Sequence, residues 1–446
     1  MKKIFPFTLV ILVLVTWLTI FMDAYSKPVN YTKYVNSGDA LVEQQLYLKA
    51  IEQYQNAKEY KKTYEIAEKL INCYKLMGDT DSYISMCDST IEYFPNEIKT
   101  YLQVLNYYKN IGSDRDFVVR AYKYKQLFPA DENINHLYLE AAKIYYESSM
   151  NVDSIRLDEN NCYAVYAQAY DAEEDKQKEI CILKDQSDNE IFKYDYKDKY
   201  LSDNNREFLV KDYNDNWKLV NGQNYTISFN NTVNFEKVTG FSCGYATGVV
   251  NGKYHYINND LLISNTEYEF ASSFSENVGA IEKNGRWALI SAKDNVNYEG
   301  EYVYEDIAIN SLGKCCINGN IIVEQNGKYF IINKDGKKIG KNTYDYIKAF
   351  ESSQPTVYME NQKYGFINQY GEKYTDPVYE DAKPYQNGVA AIKQNGKWGY
   401  IDKYGNIIVE PQFSEVMQVT TNGIAFVCEE NGQWKMLTLG LLYYNS

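Results

Sequence analysis

Three patterns of apolar and polar residues follow one another along the chain. Residues 4–22 are uncharged and mainly apolar. From about residue 30 to 177, apolar residues recur at intervals of three and four, a spacing that places them on one face of a helix. From residue 178 to 446, short alternating runs are separated by glycine turns, which predicts strands joined in hairpins. The sequence therefore predicts an N-terminal segment (1–26), an all-α region (30–177) and an all-β region (178–446).

The apolar segment 4–22 is 19 residues long, enough for a helix to cross a hydrocarbon core about 30 Å thick. Lys2 and Lys3 precede it and Asp23 follows it, so the positive-inside rule places the N-terminus in the cytoplasm. The alternative is a signal peptide cleaved after the small-x-small site at residues 24–26, which would release a secreted protein. Signal peptides usually have a shorter apolar stretch. The length therefore favours a transmembrane helix that anchors an extracytoplasmic protein in the cell membrane.

The helical region has an internal period of 34 residues. Three kinds of landmark keep this period, namely Pro95 and Pro129, Tyr74 and Tyr108, and Gly78 and Gly112. A glycine ends a helix by adopting the left-handed conformation at the cap, and a proline cannot continue a helix. The period therefore predicts pairs of helices that stack along the chain.

This pattern resembles the tetratricopeptide repeat (TPR). The positions that carry the resemblance upstream are Gly38, Ala50, Tyr54 and Ala57. The chain departs from the family at Ile71, Leu105 and Tyr83, where the family has small residues. The resemblance covers three repeats and a degenerate fourth, and it implies a concave groove that binds peptides or other proteins. Most tyrosines of this region are expected to pack in the core.

The clearest β unit is residues 388–413, GVAAIKQNGKWGYIDKYGNIIVEPQF. It is interpreted as a strand, an Asn-Gly hairpin turn at residues 395–396, a second strand from Trp398, a turn over residues 403–406 and a third strand. The unit is thus predicted to be a three-stranded antiparallel meander. Such a sheet cannot bury both of its faces alone, so neighbouring units must pack together.

An aromatic residue after the hairpin turn marks seven such units. These structural repeat anchors are Trp217, Tyr254, Trp287, Tyr329, Tyr364, Trp398 and Trp434. A second marker precedes the units, an aromatic pair six residues apart, as in Phe235 and Phe241 or Tyr379 and Tyr385. Because each anchor occupies the same place in its unit, we expect these rings to form the core between units rather than platforms for sugars.

The β units are similar to the WG repeat, named for the dipeptide that stands here as Trp398-Gly399. The resemblance implies an interaction module without a shared catalytic site. Seven units suit either a closed propeller-like ring or an open superhelical β array. Closure removes exposed sheet edges, which favours the ring. Residues 179–193 are interpreted as a half-unit that pairs with the last unit, after Trp434.

Composition excludes several classes of function. The chain has 46 Lys and Arg against 60 Asp and Glu, a net charge of −14, which argues against nucleic acid as a partner. Its two histidines, His136 and His255, are both expected to be exposed. The sequence contains no nucleotide-binding, metalloprotease or hydrolase motif. We therefore predict no enzyme, no cofactor and no metal site.

The eight cysteines have no regular spacing, so a zinc site is not expected. They are interpreted as small buried apolar residues, and the pair Cys73 and Cys87 is the one to check for a disulfide. The eight are Cys73, Cys87, Cys162, Cys181, Cys243, Cys315, Cys316 and Cys428.

Two functions agree with these features. The first is a membrane-anchored, extracytoplasmic, non-enzymatic interaction or scaffold protein that binds other proteins through both kinds of repeat. The second is a cell-envelope glycan-binding protein, in which some of the 46 tyrosines stack on sugar faces at the surface. The sequence favours the first function, because two kinds of repeat typical of protein binding occur together.

Overall fold

The computed structural model describes residues 16–17, 29–158, 162–171, 176–185, 189–192, 196–202, 207–221, 235–258, 263–292 and 299–445. The chain divides into two compact units, residues 1–137 and 138–446. The predicted anchor, residues 4–22, lies outside the described residues except at positions 16 and 17. Within the described part of the chain, no helix is both long and apolar enough to span a bilayer.

The first unit, called the helical unit below, consists of consecutive helices joined by short turns, and its last helix continues past residue 137 into the second unit. Residues 29–43 form α1, followed by α2 (Tyr47–Tyr60), α3 (Tyr64–Met77), α4 (Thr80–Tyr93), α5 (Ile98–Ile111), α6 (Asp114–Leu127) and α7 (Glu132–Ala142). Helices α3 and α5 begin 34 residues apart, as do α4 and α6. The helix pairs therefore have the period that the sequence landmarks predict.

The ends of these helices follow from the residues found there. Gly78 ends α3 and Gly112 ends α5, both in the left-handed conformation with φ of 72° and 69°. A side chain at either position would meet open space, so glycine is needed for its backbone conformation. At the N-terminal ends of α3 and α4, the side chains of Thr63 and Asp79 accept hydrogen bonds from backbone N–H groups of the first turn.

A glycine allows α1 and α2 to approach closely. A Cβ atom on Gly38 would lie 2.3 Å from the ring of Tyr54, so no larger residue fits there. Ala50, one turn before Tyr54 on α2, is fully buried. Ile71 and Leu105 are also fully buried, although they stand where the tetratricopeptide pattern has small residues. The larger side chains are thus accommodated within the core of the helical unit.

The helical region ends earlier than the sequence predicts. Helix α7 ends at Ala142, and the first strand, β1 (Tyr145–Ser149), begins three residues later. The prediction of helix up to residue 177 was therefore wrong, because strands occupy much of residues 145–184. This stretch contains no Asn-Gly turn, so its sequence carried no hairpin signal. Of the predicted degenerate fourth helical repeat, α7 is helical, and the residues after it are strands of the second unit, called the β unit below.

The β unit contains eight antiparallel sheets among the described residues, numbered here along the chain. Sheets 1 to 4 contain β2 (Ser154–Leu157), β3 (Tyr163–Asp171) and β4 (Lys176–Lys184); β5 (Asp198–Leu201), β6 (Glu207–Lys211) and β7 (Trp217–Asn221); β8 (Lys237–Val238), β9 (Tyr245–Val250) and β10 (Lys253–Asn258); and β11 (Phe270–Ala271), β12 (Val278–Lys283) and β13 (Arg286–Ser291). Sheet 1 is additional to the seven predicted units.

Sheets 5 to 8 complete the β unit. They contain β14 (Asp306–Ile307), β15 (Cys316–Ile317), β16 (Asn320–Gln325), β17 (Lys328–Ile332) and β18 (Lys338–Tyr344); β19 (Tyr346–Ile347), β20 (Thr356–Glu360) and β21 (Lys363–Ile367); β22 (Asp381–Ala382), β23 (Val389–Gln394), β24 (Lys397–Asp402) and β25 (Ile407–Phe413); and β26 (Glu415–Val416), β27 (Ile424–Cys428) and β28 (Trp434–Leu439) with β1. A short helix, α8 (Gly440–Tyr443), follows β28.

The Asn-Gly turns form the predicted hairpins, and a carboxylate holds each of several turns. In the turn between β23 and β24, Asn395 and Gly396 have φ of 51° and 75°, which these two residues tolerate well. Glu380 accepts hydrogen bonds from both of their N–H groups, at 3.1 and 2.8 Å. The same contact to a turn glycine is made in sheets 3, 4 and 5 by Glu236, Glu269 and Glu305. Each of these acids directly follows an aromatic marker.

Adjacent sheets pack together through buried apolar clusters. One residue from each side of seven interfaces illustrates this packing: Leu183 and Phe208, Leu219 and Val238, Tyr256 and Ala271, Ala280 and Ile307, Ile322 and Ile347, Phe366 and Ala382, and Phe426 and Tyr163. Between sheets 7 and 8, the Tyr400 hydroxyl donates to the carbonyl of Met417 at 2.6 Å. Because sheet 8 also packs on sheet 1, the sheets form a closed, propeller-like ring.

Strand β1 closes this ring. It pairs antiparallel with β28, with Tyr145 opposite Leu439 and Ser149 opposite Lys435. Sheet 8 is therefore built from both ends of the β unit, and the edge of β28 is covered. The predicted pairing of residues 179–193 with the last unit was wrong, because β4 pairs with β3 in sheet 1. The closed ring, and not the open array, is the arrangement observed.

Candidate functional site

The helical unit carries a groove of about 400 Å³ between the end of α3, the start of α4 and one face of α5. Its lining residues are Tyr74, Lys75, Gly78, Asp79, Thr80, Tyr83, Lys99, Leu102, Gln103, Asn106, Tyr107 and Asn110. The positions on α5 are spaced so that they share one side of that helix. The lining combines amide, hydroxyl and ammonium groups with tyrosine rings.

Lysines contribute positive charge to this groove. The Nζ atom of Lys99 lies 2.5 Å from Oε1 of Glu68, and this hydrogen bond raises the pKa of Lys99. Lys75 lies in the last turn of α3, where a positive charge interacts favourably with the helix dipole. The Asp79 carboxylate accepts a hydrogen bond from the backbone N–H of Ser82 at 3.1 Å. Lys99 therefore remains charged at neutral pH.

Tyrosine rings and exposed amides stand side by side in the groove. The rings of Tyr83 and Tyr107 have centroids 5.6 Å apart, and Tyr107 meets Tyr108 edge-on at 5.2 Å. Burial raises the pKa of Tyr83, so its hydroxyl stays protonated. Asn106 and Asn110 are exposed on α5, one turn apart. The groove thus offers hydrogen-bonding groups beside aromatic surface.

The seven repeat anchors lie at successive places around the ring and do not converge on one site. Four are buried, namely Trp217, Tyr329, Trp398 and Trp434, and three are half-buried, namely Tyr254, Trp287 and Tyr364. Five lie opposite the aromatic marker of the following unit, in the pairs Tyr254 and Tyr268, Trp287 and Tyr304, Tyr329 and Tyr344, Tyr364 and Tyr379, and Trp398 and Phe413. The two sequence markers therefore meet as cross-strand pairs, where one sheet leads into the next.

The two histidines have different surroundings. His136 is exposed, as the sequence predicts. The prediction for His255 was wrong, because only 9% of this residue is exposed. Its Nδ1 donates a hydrogen bond to the carbonyl of Ser264 at 3.0 Å, since a carbonyl can only accept. Strand alternation indicated on which face of the strand His255 lies. It could not indicate that the segment containing Ser264 contacts this face and buries the ring.

The cysteines are free thiols, and seven of the eight are buried. Cys73 and Cys87, the pair considered for a disulfide, are fully buried. Burial raises the pKa of Cys73 to about 11 and that of Cys87 to about 12. Such thiols are protonated and unreactive at neutral pH. In the described ranges, no group of three or more His, Cys, Asp or Glu residues is placed to hold a metal ion.

Comparisons with known proteins bear on the β unit. Among solved structures, BamB from Moraxella catarrhalis has 8% identity and a TM-score of 0.41, over 66% of this chain and 98% of that chain. The Dos1 propeller has 11% identity and a TM-score of 0.38, over 66% of this chain and 95% of that chain. The C-terminal WD40 domain of Sif2 has 9% identity and a TM-score of 0.39, over 67% of this chain and 99% of that chain. No curated protein gives a significant match. The WG containing repeat matches residues 262–287, 364–398 and 398–434, so the β unit contains segments similar to that family.

Proposed function

We propose that this protein is a non-enzymatic interaction protein that binds another protein through the groove of the helical unit. The observation that carries this proposal is the row of groups on α5, where Asn106 and Asn110 are exposed beside the ring of Tyr107. A side-chain amide both donates and accepts hydrogen bonds, so it matches the backbone of an extended segment. The tyrosine ring supplies apolar contact area of the kind found at protein interfaces.

The size and charge of the groove narrow the choice of partner segment. Its volume of about 400 Å³ lies within the range of sites that enclose small ligands, which is enough for a few residues of a peptide. Lys75 contributes a positive charge to the lining, whereas Lys99 is already paired with Glu68, so the groove favours a segment with an acidic side chain beside Lys75. The WG-like repeats of the β unit support the same class of function, as members of a repeat family interpreted as interaction modules.

The double substitution Asn106→Ala and Asn110→Ala is expected to weaken partner binding about tenfold or more, because it removes two hydrogen-bonding groups worth roughly 0.5–1.5 kcal/mol each. Both side chains are exposed and alanine favours helix, so the melting temperature should not fall. The partner is first identified by cross-linking in intact cells of the source organism, and its affinity for each full-length variant is then titrated. Asn133→Ala, at an exposed position of α7, is the matched control. Equal affinity of all three proteins would contradict the proposal.

We further propose that residues 4–22 anchor the chain in the membrane, with both units outside the cytoplasm. Protease added to intact, wall-stripped cells should then remove a tag from the C-terminus, while a tag at the N-terminus should be protected. Full protection of the C-terminal tag would reverse the topology. A secreted form that begins near Lys27 would show instead that the segment is a cleaved signal peptide.

Glycan binding is the second candidate, and exposed tyrosines of sheets 6 and 7 favour it. Tyr370, Tyr374 and Tyr404 are exposed by 56%, 47% and 42%. The Tyr374 hydroxyl donates to the carbonyl of Lys403, which brings these loops together. An array of cell-envelope glycans distinguishes the two functions. Binding that is lost in Tyr404→Ala, with unchanged melting, would support the glycan function.

A further inference from the structure

A polar cavity lies on the axis of the β ring, separate from the groove of the helical unit. It has a volume of about 180 Å³. Its lining residues are Leu157, Asp158, Cys162, Ser311, Leu312, Glu351, Gln386, Gln418, Val419 and Thr420. They come from the end of β2 and from the segments that follow β14, β19, β22 and β26, in sheets 1, 5, 6, 7 and 8. Five sheets of a ring can contribute to one cavity only near its axis, so this cavity lies at one end of the central channel.

Glu351 is the main charged group of this cavity. Its carboxylate accepts hydrogen bonds from the backbone N–H of Ser311 at 2.9 Å, from the Ser311 hydroxyl at 2.8 Å, and from the side chain of Gln418. Burial raises the pKa of Glu351, and these hydrogen bonds oppose that change. The hydrogen bonds hold the carboxylate in place, but none of them brings a positive charge to it.

Basic residues near the axis are engaged elsewhere. The ammonium group of Lys383 donates to the carbonyl of Val416 at 2.7 Å, and that of Lys348 pairs with Asp381 at 2.7 Å. Asp158, the other acid of the lining, pairs with an arginine nitrogen at 3.2 Å. Among the described residues, no lysine or arginine forms an ion pair with Glu351 within 4 Å, and the Lys383 ammonium attracts the carboxylate only from farther away. A partly buried carboxylate with no positive charge in direct contact lowers the stability of the fold, and a ligand of positive charge would compensate it.

We propose that this cavity binds a primary alkylammonium group, with Glu351 as its counter-ion. The N–H donors of the ammonium match acceptor oxygens of the lining, namely the Glu351 carboxylate and the carbonyl oxygen of the Gln418 amide. Leu157 and Leu312 supply apolar contacts for the alkyl stem. Carboxylates on the lining disfavour phosphate and carboxylate ligands by repulsion.

The volume of the cavity limits the ligand to a single short chain. Sites for drug-sized ligands measure about 300–1,000 Å³, so a cavity of about 180 Å³ is too small for an oligosaccharide. One alkylamine, or the end of one lysine side chain, is of suitable size. These two ligands share the same chemistry and differ in source, one being a free amine and the other a protein.

Calorimetric titration of the full-length protein in a non-ionic detergent tests the proposal. We expect n-pentylamine to bind and n-pentanol, its neutral counterpart, to bind at least tenfold more weakly. Glu351→Gln should lower the affinity for n-pentylamine about 10- to 100-fold, as loss of a charged hydrogen bond predicts. Glu301→Gln, at an exposed position of the same unit, is the matched control and should leave the affinity unchanged. A second titration uses Nα-acetyl-lysine methylamide, which imitates a lysine residue within a protein, and tests whether the cavity binds a lysine side chain.

Melting of the same variants separates a binding role from a structural one. Glu351→Gln removes a partly buried charge that has no ion pair in direct contact, so its melting temperature should equal or exceed that of the parent protein. Binding of only one of the two amines would identify the source of the ligand. The proposal is overturned if neither amine binds at millimolar concentration, if n-pentanol binds equally well, or if Glu351→Gln binds n-pentylamine with the parent affinity.

Discussion

A fragment of residues 138–446 should melt in one cooperative transition, whereas a fragment of residues 176–446 should not. The shorter fragment lacks β1, so the edge of β28 loses its partner strand and the ring cannot close. It also lacks β2 and β3, which contribute Ile155, Tyr163 and Val165 to the cluster that covers Phe426. Differential scanning calorimetry and near-ultraviolet circular dichroism of both fragments measure the difference.

A third fragment provides the control for this experiment. Residues 150–446 retain sheet 1 and lack only β1 among the strands. We expect it to melt below the 138–446 fragment but to remain folded, because the apolar interface between sheets 8 and 1 is kept. Cooperative melting of residues 176–446 at the same temperature as residues 138–446 would show that the ring does not depend on closure.

Trp398→Ala should destabilise the β unit by about 3–5 kcal/mol, as expected when a large buried aromatic side chain is removed. Only 8% of Trp398 is exposed, and the residue lies opposite Phe413 across β24 and β25. The ammonium groups of Lys383 and Lys393 lie 5.6 and 5.8 Å from the centre of its ring. The loss is measured by urea unfolding of the 138–446 fragment, since two-unit chains need not unfold in one step.

Trp287→Ala is the matched control, because Trp287 is the equivalent anchor of sheet 4 and is only half-buried. Its loss of stability should be smaller, since less apolar surface is removed from the core. Equal losses of stability for Trp398→Ala and Trp287→Ala would contradict the expectation that the loss increases with the burial of the ring. A Trp398→Ala protein that melts normally but loses glycan binding would identify the ring as a sugar platform instead.

The local structure of this chain could be predicted from its sequence because it depends on near neighbours. The glycines at 78 and 112 end helices through their own backbone conformation, and the turn at residues 395–396 forms because Asn and Gly tolerate positive φ. The spacing of aromatic markers also indicated the β units. The markers recur because five of the anchors pair across strands with the aromatic marker of the following unit. The two residues of each pair are only 14 to 17 positions apart in the chain.

Contacts between distant segments could not be predicted in this way. Strand β1 belongs to the sheet that contains β28, at the other end of the unit, and nothing in the short sequence of β1 specifies that partner. Strands β2 and β3 of sheet 1 were missed because this part of the chain contains no Asn-Gly turn. The burial of His255 follows from the segment that contains Ser264, whose carbonyl accepts a hydrogen bond from the His255 ring.

What the sequence by itself determined is the identity of the repeating elements: helix pairs in one unit and three-stranded meanders in the other. Only the tertiary structure decided the number of sheets, the closure of the ring and the two candidate sites. The groove combines side chains of three helices, and the axial cavity combines side chains of five sheets. Such sites arise where elements far apart in the chain converge, and residue spacing along the chain carries no information about that convergence.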